Sequence, residues 1–287
     1  FKYHDFGMGE GFRLHVGPAV LNDEDFFLHN HEFDELVIVR GGRGVHRTEQ
    51  GDYPIAEGEV FVLHGHQVHG FHDADELEIV NIMYDPREFL EPARDLPLLS
   101  GYHALFVLDP AQRHQGAFSQ RFQLSPRQLA QANLRVEKIH GEFDVQMPGY
   151  QTLVAGEFRA LVVELCRAFT GYSSQALPHR KLAESVAHME LHFRDPLRLD
   201  ELAERAAMSP NHFLRVFRKL YHATPANYLI RLRVQHARDL LRDPDISVTR
   251  VALESGFSDG NYFSRQFRKV VGQSPRQYRK ALASGYG

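Results

Sequence analysis

"NHFLRVFRKLYHATPANY" (residues 211–228) and "NYFSRQFRKVVGQSPRQY" (261–278) superimpose at a constant offset of 50, with Asn, Phe, Arg, Phe, Arg, Lys, Pro and Tyr in register. A shorter segment precedes each copy, "LDELAERAAMS" and "VTRVALESGFS", alike at an offset of 49. Each unit therefore reads as helix, tight turn, helix. In the first, Phe213, Val216, Phe217 and Leu220 share a helical face that would pack on Leu202 and Ala203. Asn211 and Arg215 stand four residues apart and hence in line, while Phe213 lies about 200° around the helix from Asn211. Burying Phe213 and Phe217 turns Asn211 and Arg215 outward, and burying Phe263 and Phe267 does the same for Asn261 and Arg265. Asn can pair bidentately with adenine and Arg with guanine in the major groove, each worth about 1–3 kcal/mol of discrimination.

Charge divides in the same place. Residues 178–287 hold 19 Lys and Arg against 11 Asp and Glu, whereas residues 1–177 hold 14 against 26. An acidic front and a basic back is the asymmetry expected when one domain meets a polyanion. Arg218, Lys219, Arg233, Arg268 and Lys269 are assigned to phosphates, which position without specifying. The segment "TPANYLIRLRVQHARDLLRD" joins the units as one helix with Leu229, Leu232, Ala237 and Leu240 as its packing side. It would set the two recognition helices about one DNA turn, roughly 34 Å, apart. Helix starts are expected at Asp195 or Pro196, Ser209-Pro210, Thr224-Pro225, Ser247, Ser258 and Ser274-Pro275.

The first part of the chain has another rhythm. From residue 10 to about 84, short alternating runs rich in Val, Ile and Phe are broken by glycine every eight to twelve residues, the pattern of an antiparallel barrel or sandwich. Residues 85–120 read as loop with short helices. A helix capped by Ser125 and Pro126 follows, then "YQTLVAGEFRALVVELCRAFTG", where Val154, Phe158, Leu161, Leu165 and Phe169 form one apolar stripe ending at Gly171. That stripe can cover the barrel or form a dimer seam. "GYSSQALPH" (171–179) marks a domain boundary. No apolar run approaches the roughly 18 residues of a membrane span, and the opening "FKYHDFGMGEG" lacks a signal-peptide pattern. With Cys166 as the sole cysteine, a reduced cytoplasmic protein is expected, without disulfide or thiolate metal site.

"HNHEFDELVIVRGG" (29–42) carries the pocket chemistry. His29, His31 and Glu35 are all odd-numbered, so on one extended strand they share a face, and His69 can arrive from a later strand. Imidazole and carboxylate suit the hydroxyls of a polyol. They equally form an N3O set for zinc, nickel, iron or manganese, or rest as core histidines paired among themselves. His64, His66 and His72 are placed on the rim.

"VALESGFSDGNYFSRQFRKVVGQSPRQYR" resembles the signature segment of the AraC family of bacterial transcription regulators, and residues 180–283 follow that family's paired helix-turn-helix domain. The resemblance implies base contacts from Asn211, Leu214 and Arg215 in one unit and Asp259, Asn261, Tyr262 and Arg265 in the other. Leu214 departs from a polar reader. "SDGN" is similar to the form in rhamnose-responsive members. Residues 1–171 are similar in layout to the family's cupin-like effector domain with two dimerisation helices, which favours the seam reading of Val154 to Phe169. His29, His31, Glu35 and His69 resemble the ligand set of metal-binding cupins, although Asp23, "AEG" (56–58) and Asp73 depart from that motif.

The fold expected is thus multidomain. An all-β cupin-like barrel with two dimerisation helices (1–171) is joined by a linker (172–179) to an all-α domain with two helix-turn-helix units (180–287). The function expected is a ligand-responsive, sequence-specific DNA-binding regulator, not an enzyme. Its partners are a double-stranded operator, a small effector such as a sugar at His29, His31, Glu35 and His69, RNA polymerase by resemblance, and a second copy. The alternative is a metal-dependent cupin enzyme with an appended DNA-binding domain.

Overall fold

The structure, a computed structural model, describes residues 1–6, 8, 11–22, 28–49, 51–91, 93–108, 122–171 and 180–283. The chain divides into two compact units, Phe1–Ala183 and Glu184–Gly287. The expected linker, 172–179, lies outside the described residues.

In the first unit the described residues form a five-stranded sheet: β1 (Leu14–Leu21), β2 (Asp34–Thr48), β3 (Gly51–Ala56), β4 (Val60–Leu63) and β5 (His69–Tyr84). All pairings are antiparallel, in the order β1-β5-β2-β3, with β4 on the first part of β2. One edge of β2 thus serves β4 at Glu35–Ile38 and β3 at Arg43–Thr48. Val37, Val39, Ile55, Phe61, Leu63, Phe71, Leu77 and Ile79 meet in one core, with Ala19 and Leu21 of β1 against it. Strands that all point into a common interior curl the sheet into a barrel-like form. The curl is assisted by register shifts in β2 between Val39 and Val45, where bulges bend and twist a strand. Gly42 is required there: at φ 70° its missing Cβ would stand 2.0 Å from the Glu76 carbonyl oxygen.

Two helices follow, α1 (Pro126–Val145) and α2 (Tyr150–Gly171). Ser125 and Gln128 close a reciprocal capping box with Pro126 at the first position, as the sequence predicts. The stripe on α2 corrects an expectation. Val154, Phe158, Leu161, Leu165 and Phe169 are buried within their own unit, with Phe158 against Tyr84 and Phe89, and Phe169 against Phe122. It packs against Tyr84 at the end of β5, against α1 and against the short segments between the sheet and α1, so it is not available as a dimer seam. Fully burying each such side chain stabilises by about 1.5–3 kcal/mol, and the unit realises that gain without a partner.

The second unit is helical: α3 (Arg180–Leu191) from Glu184 onward, then α4 (Leu199–Arg205), α5 (Pro210–Tyr221), α6 (Pro225–Leu240), α7 (Val248–Glu254), α8 (Gly260–Val271) and α9 (Pro275–Ala283). The start of α4 departs from the Asp195 or Pro196 expectation, since Arg198 precedes it without a side-chain cap. On α6, Val234 and Ala237 are buried and Leu241 follows them, while Leu229 and Leu232 stay half-exposed. Ala237 and Leu240 of the predicted face pack on the second core with Val251, Phe257, Phe263 and Phe267, and Val234 and Leu241 join them in place of Leu229 and Leu232.

Candidate functional site

The repeat in sequence becomes a repeat in space. Phe213, Phe217, Phe263 and Phe267 are fully buried, and the ring centroids are 5.6 Å apart in each pair. Phe217 meets Tyr228 edge-on at 5.4 Å, and Phe267 meets Tyr278 edge-on at 5.6 Å. Leu202 and Ala203 of α4 are buried as well, and Val251 and Ala252 share one core with the second pair. Each recognition helix ends at a left-handed residue, His222 in α5 and Gly272 in α8. The following helices are capped alike: Thr224 accepts from Asn227 N at 3.1 Å, and Ser274 accepts from Gln277 N at 3.3 Å.

Because the rings face inward, the opposite edge is presented to solvent. Asn211, Arg215, Asp259, Asn261, Tyr262 and Arg265 are all exposed, and Leu214 is half-buried. The caps differ between units. Ser209 caps α5 by accepting from His212 N, while α8 is capped by Asp259, not the Ser258 expected, through Tyr262 N. Asp259 thus orients the first turn of α8 as well as lying on its exposed edge. A carboxylate there also suits the positive end of the helix dipole.

Arg218, Lys219, Arg268 and Lys269 are exposed as phosphate contacts require. Arg233 is a correction: its guanidinium donates to the Phe193 carbonyl at 2.7 Å and the Asp195 carbonyl at 2.8 Å, tying α6 to the turn after α3. Burial lowers its pKa from the ordinary arginine value. Two carbonyls that would otherwise lack donors hold this side chain in place.

In the first unit the predicted donor residues converge, though not as one strand. Glu35 lies on β2, but the chain bends at Glu32 and Phe33. His29 pairs with His69 in an isolated bridge, each amide donating to the other carbonyl at 2.9 Å. His31 Nε2 lies 3.0 Å from Glu35 Oε2, His69 Nε2 lies 3.5 Å from the same oxygen, and His69 Nε2 lies 3.0 Å from His29 Nε2. His31, Glu35 and His69 are buried, and His29 is half-buried.

Tautomers decide what this arrangement can hold. His31 Nδ1 is 2.6 Å from the Phe33 carbonyl oxygen and donates to it, which turns Nε2 towards Glu35. Burial, then the fields of His46, His29 and His31, hold His69 well below the ordinary imidazole range, hence neutral. At 3.0–3.5 Å these nitrogens and the carboxylate oxygen either share protons as hydrogen bonds or, once deprotonated, turn their lone pairs to a common cation. Bonds of about 2.0–2.2 Å to one ion place adjacent N and O ligands at such separations. The Phe33 carbonyl already supplies the outer hydrogen bond that a ligating His uses. The residues therefore fit a divalent metal, though His69 Nδ1 has no hydrogen-bond partner among the described residues.

His46 was missed in sequence. It is fully buried, stacks on Phe61 at 4.9 Å and meets His69 edge-on at 5.7 Å. Its even number places it on the wrong face of a regular strand, but the β2 bulges change the parity. His64 and His72 pair with Asp34 at 2.9 Å and Asp73 at 3.0 Å, away from the donor group, and His66 is exposed. Asp23 lies outside the described residues.

Comparison with known proteins agrees with both halves. A family described as "Helix-turn-helix domain" matches residues 202–281, and one described as "AraC-like ligand binding domain" matches residues 19–143. The chain is 30% identical to the HTH-type transcriptional activator RhaS of Escherichia fergusonii, over 88% of this chain and 87% of that one. It is likewise 30% identical to RhaS of Escherichia coli O139:H28, over 91% of this chain and 90% of that one. A crystal structure of an AraC-type DNA-binding regulator from Chromobacterium violaceum is 33% identical over 36% of this chain and 92% of its own, with a TM-score of 0.34. Among the described residues no helix is long and apolar enough to cross a membrane. With a ligand-binding domain before a paired helix-turn-helix, and relatives aligned along almost the whole length, this chain belongs to the AraC family of DNA-binding transcription regulators.

Proposed function

We propose that the chain is a sugar-responsive transcription activator that works in the cytoplasm as a homodimer. Its two recognition helices read successive major-groove segments of a double-stranded operator. The observation that carries this reading is the twice-built polar edge, Asn211 with Arg215 and Asn261 with Arg265, exposed over buried phenylalanine pairs. Sugar sensing and action with RNA polymerase are taken from the resemblance to the AraC family, and activation from the likeness to transcriptional activators named RhaS. With the α2 stripe engaged internally, dimerisation would draw on other residues of the hairpin, where Leu134 and Leu153 are exposed.

His29, His31, Glu35 and His69 hold a divalent cation, zinc, nickel, iron or manganese, in this reading. Donor atoms 3.0–3.5 Å apart suit an ion and would have to separate to admit a sugar ring. The ion, when bound, supplies charge that joins the bridge of His29 and His69 to the start of β2. Binding of sugar can alter DNA affinity only through unequal affinity for two arrangements of the protein.

Operator affinity measured with each of a panel of pentoses, hexoses and deoxy sugars tests the reading. At least one should change it; indifference to all would remove sensing and leave DNA binding intact. The rival, a metal-dependent cupin enzyme, predicts turnover that is lost in His31→Ala.

A further inference from the structure

A second cavity lies outside the donor group. About 540 Å³ opens between the start of β1 and the turn joining α1 to α2, within the range of about 300–1,000 Å³ typical of small-molecule sites. Phe12, Phe143 and Tyr150 touch one another as a triangle in its wall, their centroids 6.1, 6.2 and 6.3 Å apart. Phe6 extends the aromatic wall, 5.8 Å from His15, and the buried Leu14 and Val16 line it too. The polar lining comes from His15, Gln146 and Gln151, with His140 and Asp144 engaged with each other at 3.2 Å.

The lining sets the ligand's chemistry. Among the described residues it contains no Lys or Arg, so they offer no basic side chain to a phosphate or carboxylate. Its acid, Asp144, is already paired with His140. Burial, then the field of His140, lowers the pKa of His15, leaving a neutral ring with one donor and one acceptor. Side-chain amides and neutral imidazole serve hydroxyl groups, and ring faces serve the C–H face of a saturated ring. We propose that this cavity binds an uncharged, monosaccharide-sized polyol and is where the first unit senses its sugar, an inference that rests on the sensing function proposed above.

Its position supplies the response. One wall belongs to the sheet and the other to the α1–α2 hairpin, where the turn is made by Gln146 and Gly149 at positive φ. A ligand touching both walls favours the arrangement that holds them at this spacing, which is the differential affinity a sensor needs.

The chain contains no tryptophan, so Tyr150→Trp places a single emitter in the wall. Pentoses, hexoses and 6-deoxyhexoses are titrated one at a time into the full chain, with choline as the cationic control, and thermal melts of the natural chain are recorded in parallel. A saturable emission change is expected with at least one sugar. His15→Leu should weaken that sugar's binding about tenfold, the size of one lost hydrogen bond. If Tyr150→Trp does not fold by circular dichroism, Gln151→Trp at the exposed neighbouring position takes its place. A sugar that raises the melting temperature while the emitter stays silent, or whose effect is kept in full in His15→Leu, overturns the location but leaves sensing in place. A response to choline alone overturns the ligand class. No response to any sugar in melts, emission or operator binding removes both sensing and this site.

Discussion

Ala207 and Gly256 occupy the same position in the two helix-turn-helix turns and share a left-handed backbone, φ 53° and 83°. The bonds around them match: Ala207 N donates to Glu204 O and Met208 N to Ala203 O, as Gly256 N does to Leu253 O and Phe257 N to Ala252 O. This is the Schellman ending of a helix, where glycine is the unstrained choice. Alanine in that conformation costs about 1–2 kcal/mol, of which the greater freedom of unfolded glycine takes back part. Ala207→Gly should therefore stabilise the second unit by about 0.5–1 kcal/mol. Gly256→Ala should destabilise it by about 2–3 kcal/mol, since its Cβ would also lie 2.7 Å from the Arg194 carbonyl oxygen. Urea midpoints of the two variants should move in opposite directions, and movement in one direction would contradict the matched turns.

Asp259 both caps α8 and stands on its exposed edge. Asp259→Ala should lower stability by about 1 kcal/mol, whereas Asp259→Asn keeps the cap. If Asp259 also meets a base, the Asn variant should alter base preference at one operator position while melting like the natural chain. Equal operator profiles for the Asn variant and the natural chain would confine Asp259 to capping.

Arg265 and Arg268 separate specificity from affinity. Arg265→Ala should cost about 1–3 kcal/mol at one base pair and relax preference there, while Arg268→Ala should weaken all sequences alike and flatten the salt dependence by about one unit. Competition binding on a panel of single-base operator variants distinguishes the two. A uniform loss for Arg265→Ala would reassign it to a phosphate.

Metal occupancy predicts that the natural chain, dialysed against zinc and then buffer, retains about one ion per chain, and that Glu35→Gln retains far less. At free metal about 100-fold above its Kd the fold should gain about 2.7 kcal/mol, read as a rise in Tm that a chelator reverses. Equal metal content in both proteins by elemental analysis would place the ion elsewhere.

Asp85 predicts a pH dependence. Hydrogen bonds from Arg87, then from Arg13 and the Arg87 amide, hold this buried carboxylate down at about 2, against a cost of burial. A folded pKa below the unfolded one means that its stabilisation is complete above about pH 4 and lost as pH falls towards about 2. Asp85→Asn should cost up to about 2 kcal/mol at pH 7, with about half that gap left near pH 3. Denaturant midpoints of the two proteins compared down that range provide the check, and a gap that stays constant would mean the charge contributes nothing.

The paired helix-turn-helix could be read from the chain because its determinants are local. Phenylalanines four residues apart, Pro after a hydroxyl cap, and polar residues on the opposite edge fix a helical face through hydrogen bonds spanning one turn, and the copy at 211–228 repeats at 261–278. His29, His31, Glu35 and His69 could be named for their chemistry, but strand parity misjudged how they meet. The bend at Glu32 and Phe33, the bridge to His69 and the β2 bulges bring them together and admit His46.

Sequence by itself determined which side chains hide and which chemistry the chain carries, because helix periodicity and residue type are properties of short segments. Only the tertiary structure decided what those side chains hide against. The Val154–Phe169 stripe packs within its own unit, Arg233 clamps the Phe193 and Asp195 carbonyls, and an aromatic cavity opens where β1 meets the hairpin. The reason is physical: an apolar face gains the same free energy from any partner that excludes water, so the choice among partners rests on the geometry of distant segments.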